Sequence, residues 1–304
     1  MTTMDSIAYI LLLIFEIPSI LCALFILIFF FSNWRLLMIK VLNNHAIFIL
    51  MIISTSYIIL DLPFTINHYR LGYDQYRSRT FCQWWYWLDY TLVTTSLFLV
   101  AVTSIQRHLL VFHHSCLQGH VKRWIFHYIP LIICLIYPGI FYLVVICFHR
   151  CNSSIYVESY SCSLPCYSED FQLFSIDWFL NVVSPIITII LVNFVLLCRI
   201  IYSFKKLHYP QTRIWKKRRK LILQFIPFSI LYILGWLPTA ILSLLERYFL
   251  PNLYTNSPNL TYINYLNHFV YLLQPMICLF ALPELFKFLK KKIHRRQMMI
   301  HAVT

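Results

Sequence analysis

Long apolar runs separated by short polar stretches dominate this chain, and their lengths are those a lipid bilayer demands. A helix that crosses a bilayer needs about 20 mostly apolar residues. Seven such runs occur: Ile7 to Phe31, His45 to Ile66, Phe81 to Leu110, Trp124 to Phe148, Phe171 to Tyr202, Leu221 to Leu245 and Tyr262 to Leu282. Turn and breaker residues punctuate the loops between them, as in Arg70-Leu71-Gly72, His208-Tyr209-Pro210 and Asn256-Ser257-Pro258. The pattern shows no low-complexity tract, separate soluble domain or internal repeat. The predicted fold is all-α, a seven-transmembrane helix bundle over residues 1–283, followed by an amphipathic helix and short basic tail over 284–304. Met1 to Ser6 lacks a basic n-region and the run from Ile7 is long enough to span, so that run is expected to stay as the first helix.

Composition changes the picture by naming the solvent. Hydrophobic residues make up 60% of the 304, and charged residues only 12%. A globular domain carries roughly 25% charged residues, so this chain cannot cover a water-facing surface and most of its exterior must meet lipid. The net charge of +14 does not point to nucleic acid, because the bases sit between and after the apolar runs. With only four glycines, Gly72, Gly119, Gly139 and Gly235, there is no phosphate-cradling loop.

The distribution of Lys and Arg gives an orientation. With the N-terminus outside, Arg35, Lys40, Lys122, Arg123, the run Lys216 to Lys220 and the tail bases Lys290, Lys291, Lys292, Arg295 and Arg296 all fall inside. Arg70, Arg77, Arg79, Arg150 and Arg247 remain outside, where Asp74, Glu158, Glu169, Asp170 and Glu246 accompany them. The acceptor sequons at Asn152 and Asn259 fall in outer loops, the only side on which they can be glycosylated. Cys82, Cys151, Cys162 and Cys166 also lie in or beside outer loops, where oxidation is possible. No histidine stands near them at ligand spacing, so no metal site is expected, and no cofactor.

The third run holds the most chemistry. It reads Phe81-Cys82-Gln83-Trp84-Trp85-Tyr86-Trp87-Leu88-Asp89 at one end and Ser104-Ile105-Gln106-Arg107-His108 at the other. At 1.5 Å per residue, Asp89 lies about 10 Å inward of Cys82 and Arg107 about 37 Å inward. An ionisable group at such depth is expensive and by default functional. Asp89 has two readings, a counter-ion for a cationic ligand or a carboxyl satisfied by a neighbouring Tyr or His. Asp61 before Pro63, and Glu16 before Pro18, are read as structural hydrogen-bond partners at proline-broken turns.

In order and depth these features resemble the rhodopsin-like (class A) G-protein-coupled receptors, across nearly the whole chain. Cys82 and Arg107 reproduce that family's spacing between a third-helix cysteine and the arginine of its acid–arginine–tyrosine motif. Gly235-Trp236-Leu237-Pro238 is similar to cysteine–tryptophan–x–proline in the sixth helix, and Pro185 and Gln274-Pro275 match prolines of the fifth and seventh. Pro283 to Lys290 is similar to the short helix after the seventh span. The chain looks like a divergent, orphan type, and Ser104 to His114 resembles large receptor groups of rotifers.

The resemblance implies a plasma-membrane, multi-pass receptor rather than an enzyme. It would bind an amine or neuropeptide from outside and activate a heterotrimeric G protein within. The implied ligand residues are Asp89, Trp178, Trp236 and His268, with Arg107, Gln106 and His108 at the G protein. Trp236, Pro238 and Pro275 are the implied activation hinge. Cys82 is implied to bond the second outer loop, at Cys166 in preference to Cys162, leaving Cys151 and Cys162 to close a local loop.

Departures from the family pattern stand at Gln106 for the acid, His108 for the tyrosine, and Ser54 where counting from Asn44 places an interior aspartate. Lys217 and Arg218 occupy the region of a sixth-helix acid. The family's sodium site and its restraining ion pair are therefore not expected here, and activity without ligand is. The rival class is a multi-pass transporter or channel, disfavoured because no pair of broken half-helices stands in matching positions. An intramembrane enzyme ranks last, since no His-Glu-x-x-His and no Ser/His/Asp set shares a depth.

Overall fold

A computed structural model describes residues 3–35, 43–71, 78–112, 119–149, 162, 165–206, 225–250 and 258–281. Its described residues form a helical bundle without strands. The first helix is Thr3–Ser32. The second crossing is made by two helices, Asn43–Leu60 and Leu62–Leu71. The third helix is Arg79–Phe112. The fourth crossing runs His120–Phe148 and the fifth begins at Phe171. The sixth helix is Ile226–Tyr248, and the seventh, Tyr265–Ala281, follows a 3₁₀ turn over Pro258–Asn264. Predicted and observed ends agree to within five residues where both are described. The expected helix from Pro283, the Lys216–Lys220 run and Asn152 lie outside the described residues. Asn259 falls in the 3₁₀ turn.

Among the described residues, six helices are long and apolar enough to cross a membrane, from Ser6–Ser32 to Ile226–Tyr248. The seventh has 17 residues, about 25 Å of α-helix, and the 3₁₀ turn before it supplies the remaining length. Side chains such as Ile14, Leu21, Ile28 and Phe31 on the first helix are exposed, and so are Ile133, Ile140, Phe194 and Leu234 on later ones. In water such a surface would aggregate; in lipid it needs no cover.

The third helix lies at the centre. Of its most apolar window 61% is buried, against 22% for the first helix, and it packs on the second, fourth, fifth and sixth. The first helix closes the ring by packing on the second and seventh.

Prolines shape the crossings, and polar side chains repair what they break. Pro63 has no N–H, so the second crossing turns at Asp61, whose carbonyl accepts from Phe64 N at 3.1 Å and Thr65 N at 3.3 Å. The Asp61 carboxylate accepts from Trp85 Nε1 at 2.6 Å, a structural bond at the proline-broken turn. Pro275 cannot donate to the carbonyl of Tyr271, and Ser54 Oγ donates to that oxygen at 3.0 Å. Beside it, Ser19 Oγ donates to the carbonyl of Leu272 at 2.8 Å. Gln274 ties three helices together, accepting from Tyr232 Oη at 2.7 Å and donating to the carbonyl of Leu50 at 2.9 Å.

Sixth and seventh helices approach unusually closely at Gly235. A Cβ added there would stand 2.1 Å from Val270 Cγ2. Only hydrogen fits between the helices at that level.

Candidate ligand cavity and the arginine end

One end of the bundle is pinned by a disulfide. Cys82 bonds Cys162, with the Cα atoms 5.5 Å apart. This corrects the expected preference for Cys166 and removes the expected Cys151–Cys162 pair. The physical reason lies in the third helix, where Tyr86 Oη donates to the carbonyl of Cys162 at 2.6 Å and holds that residue over the helix end. Cys166 instead opens a 3₁₀ turn, Cys166–Glu169.

Beneath this end lies a cavity of about 430 Å³. Asp89, Trp178, Trp236 and His268, four residues from four helices, all line it. Helical spacing explains the convergence. From the third helix come Tyr86, Asp89, Tyr90, Val93 and Thr94, which share one face at i, i+3, i+4, i+7 and i+8. The fifth crossing contributes Phe174, Asp177, Trp178 and Val182 on the same principle. Its backbone is a π-helix over Trp178–Val183, and Pro185 follows, unable to donate to the carbonyl of Asn181.

The two cavity carboxylates are held differently. Asp89 makes no hydrogen bond or ion pair among the described residues. Asp177 is buried and accepts three bonds: from Tyr142 Oη at 2.9 Å, Asn181 Nδ2 at 2.7 Å and Tyr167 Oη at 2.8 Å. Burial, with Tyr90 and Asp177 close by, pushes the Tyr167 phenol above its ordinary range, so it remains a donor. Tyr142 also shares a hydrogen bond with Thr94 at 3.0 Å, tying the fourth crossing to the third helix. On the seventh helix His268 Nδ1 shares a 2.7 Å bond with Tyr57 Oη. Sequence reasoning missed Asp177, although an acid seven residues inside a predicted span is the same signal that singled out Asp89.

The opposite end of the third helix presents Arg107, which is buried with none of its three guanidinium nitrogens hydrogen-bonded among the described residues. Its Cζ lies 3.3 Å from the ring centroid of Phe225, at the start of the sixth helix. Gln106 turns away from it. The Gln106 amide donates to the carbonyl of His127 at 3.1 Å and its Oε1 pairs with His127 Nδ1 at 3.1 Å. His127 Nε2 then meets His45 Nδ1 at 3.0 Å, so a polar chain joins the third, fourth and second helices. The ring of His108 packs on Phe112. Trp236 is buried two residues before Pro238, in the helix that Phe225 caps.

No group of three metal-ligating side chains occurs among the described residues. At the level of Ser54 and Gln274, the Ser54 hydroxyl and the Gln274 amide nitrogen donate to backbone carbonyls, and the Gln274 amide oxygen accepts from Tyr232.

A helical membrane bundle with a disulfide at one end, a largely aromatic cavity holding two acids beneath it and a buried arginine at the other is the architecture of a transmembrane receptor. The chain matches the model of the 7 transmembrane receptor (rhodopsin family) over residues 26–280, and it belongs to that family. No curated protein matches it closely enough to compare.

Proposed function

We propose that this member of the rhodopsin-type signalling receptors resides in the plasma membrane, binds a small cationic extracellular ligand and activates a heterotrimeric G protein. The ligand group is an amine, free or carried by a neuropeptide. The supporting observation is Asp89: a carboxylate without a partner among the described residues, on the wall of a cavity of about 430 Å³. Ligand cavities commonly fall within about 300–1,000 Å³. A desolvated carboxylate in low dielectric favours a cation strongly, and pairing gives specificity even where net affinity is modest.

The mechanism is a shift between resting and active bundles. A ligand moves that equilibrium only by binding the active arrangement better. Trp236 touches the cavity, and Pro238, two residues later, leaves the same helix one backbone donor short. Motion of the sixth helix about Pro238 carries Phe225 off Arg107 and opens the arginine to a transducer, with Gln106 and His108 beside it. Pro275 gives the seventh helix a matching point of give.

The test is G-protein activation in cells expressing the receptor, against amine and neuropeptide panels, with Asp89→Asn at matched surface levels. An agonist amine should lose about tenfold to a thousandfold in potency on Asp89→Asn, the range of a desolvated charge pair. Unchanged potency for a cationic agonist overturns the counter-ion role.

A further inference from the structure

The sixth helix is gripped at both ends by an arginine on a phenylalanine ring. At one end its capping residue, Phe225, lies against Arg107 of the third helix. At the disulfide end the parts are exchanged, and the sixth helix supplies the cation. Arg247 Cζ lies 4.7 Å from the ring centroid of Phe171 and 4.8 Å from that of Phe174, both in the fifth crossing. Those rings stand three residues apart on the helix Phe171–Asp177 and share a face, so one guanidinium meets both. Tyr248 widens the contact, edge-on to Phe171 at 5.7 Å and tilted toward Phe179 at 5.9 Å.

No acid takes part. Arg247 Nε is buried without a hydrogen-bond partner, and Arg247 makes no ion pair among the described residues. Glu246 is its chain neighbour, and adjacent residues of a helix do not face each other. The Asp170 carboxylate, next to Phe171 in the chain, accepts from Gln172 N at 3.0 Å and Leu173 N at 3.2 Å. As the helix cap it fixes the ring platform and is occupied in doing so. Ring faces are what hold Arg247, since they attract a cation electrostatically.

The place of this contact matters mechanically. Phe225 stands 13 residues before Pro238 and Arg247 nine residues after it, arms of about 20 Å and about 14 Å at 1.5 Å per residue. If the helix swings as a whole about Pro238, its Arg247 end moves opposite to its Phe225 end, by about two thirds as far. A grip on the shorter arm therefore resists opening at the longer one. The grip also borders the cavity. Phe174 and Ser243 line both the cavity and the small recess beside Arg247, and the Phe174 ring stacks on Trp178 with planes 12° apart.

We propose that Arg247 is a positioning residue of the signalling switch, whose clasp on Phe171 and Phe174 holds the short arm of the sixth helix to the fifth crossing and restrains the receptor at rest. The proposal rests on the sixth-helix motion described above and adds a second restraint to that of Phe225 on Arg107.

The first measurement is G-protein activation without ligand by the full-length receptor in cells, at matched surface levels. Arg247→Gln should raise it about two- to fivefold over wild type, the worth of a partly exposed cation–π contact. Arg247→Lys keeps the charge and should stay nearer to wild type. Phe171→Leu should also raise the signal and add little on top of Arg247→Gln, because that ring acts through the guanidinium. The second measurement needs no G protein. Ser229 is buried on the long arm, and in a Ser229→Cys receptor a membrane-permeant thiol reagent should modify the new thiol faster once Arg247→Gln is added.

An Arg247→Gln receptor with lowered Tm but wild-type signal and wild-type labelling rate shows a merely structural contact and overturns the proposal. So does Arg247→Lys signalling as strongly as Arg247→Gln. A rise on Phe225→Leu with none on Arg247→Gln removes the clasp and leaves the Arg107 restraint standing. Faster labelling in a receptor that activates no G protein upholds the clasp while the transducer reading falls. Should Arg247→Gln fail to reach the surface, Phe171→Leu, which keeps the arginine, decides in both measurements.

Discussion

Replacing Gly235 with alanine adds one methyl group where the structure leaves no room for it. The new Cβ would lie 2.1 Å from Val270 Cγ2 and 3.5 Å from the carbonyl oxygen of Leu266, whereas carbon atoms in contact prefer about 3.5–4.0 Å. Val270 is 1% exposed and β-branched, so it has essentially one side-chain rotamer in a helix. Relief must come from the helices moving apart by more than an ångström. Overpacking of this kind costs about 1–3 kcal/mol. Alanine returns about 0.5–1 kcal/mol in helix propensity. The net expectation is a loss of about 0.5–2 kcal/mol, seen as a fall of a few degrees in the Tm of detergent-solubilised receptor. Gly235→Ala combined with Val270→Ala should recover more than the single effects predict, because the clash needs both side chains. A Gly235→Ala receptor with undiminished Tm, or a double variant that is merely additive, would refute the reasoning.

Wild-type receptor should signal above untransfected cells without ligand, since Arg107 has no acid partner among the described residues, and Phe225→Leu should raise that basal level by up to about thirtyfold, the worth of a desolvated cation–π contact of about 2 kcal/mol. Equal basal signal in all three at matched surface expression contradicts this. Ser54→Ala strips the carbonyl of Tyr271 of its donor beside Pro275 and should cost about 1–3 kcal/mol of stability; a variant as heat-resistant as wild type shows that the carbonyl finds another partner. Cys162→Ser should release Cys82 as a thiol that an impermeant maleimide labels, while Cys166→Ser should leave it protected. The opposite pattern would restore the pairing expected from the sequence.

The spans were legible because lipid tolerates little besides apolar helix, so length and hydropathy carry most of the fold. Asp89 and Arg107 were legible for the same reason: charges inside such helices are few. Local features were harder to read. The sequence shows glycine at 235 where the family has cysteine, but only the packed bundle reveals Val270 against it. Ser54 counts as a missing acid in the sequence, whereas in the bundle it is the donor that Pro275 makes necessary. The direction of Gln106 toward His127 depends on how the third and fourth helices are rotated, and no periodicity reports that. The choice between Cys162 and Cys166 turned on one tyrosine hydroxyl, and the standing of Asp177 on three donors from three separate segments.

The ring of Phe225 over Arg107 bears on proton traffic as well as on rest and activity. A clasp between arginine and a carboxylate can be undone by protonating the acid, so opening it is linked to acidity through the difference in bound protons. A phenyl face has no proton to gain or lose. On the proposed mechanism, release of the arginine is a matter of displacing a ring among the described residues at this end, and transducer engagement should proceed without the proton uptake that an acid-based restraint would require.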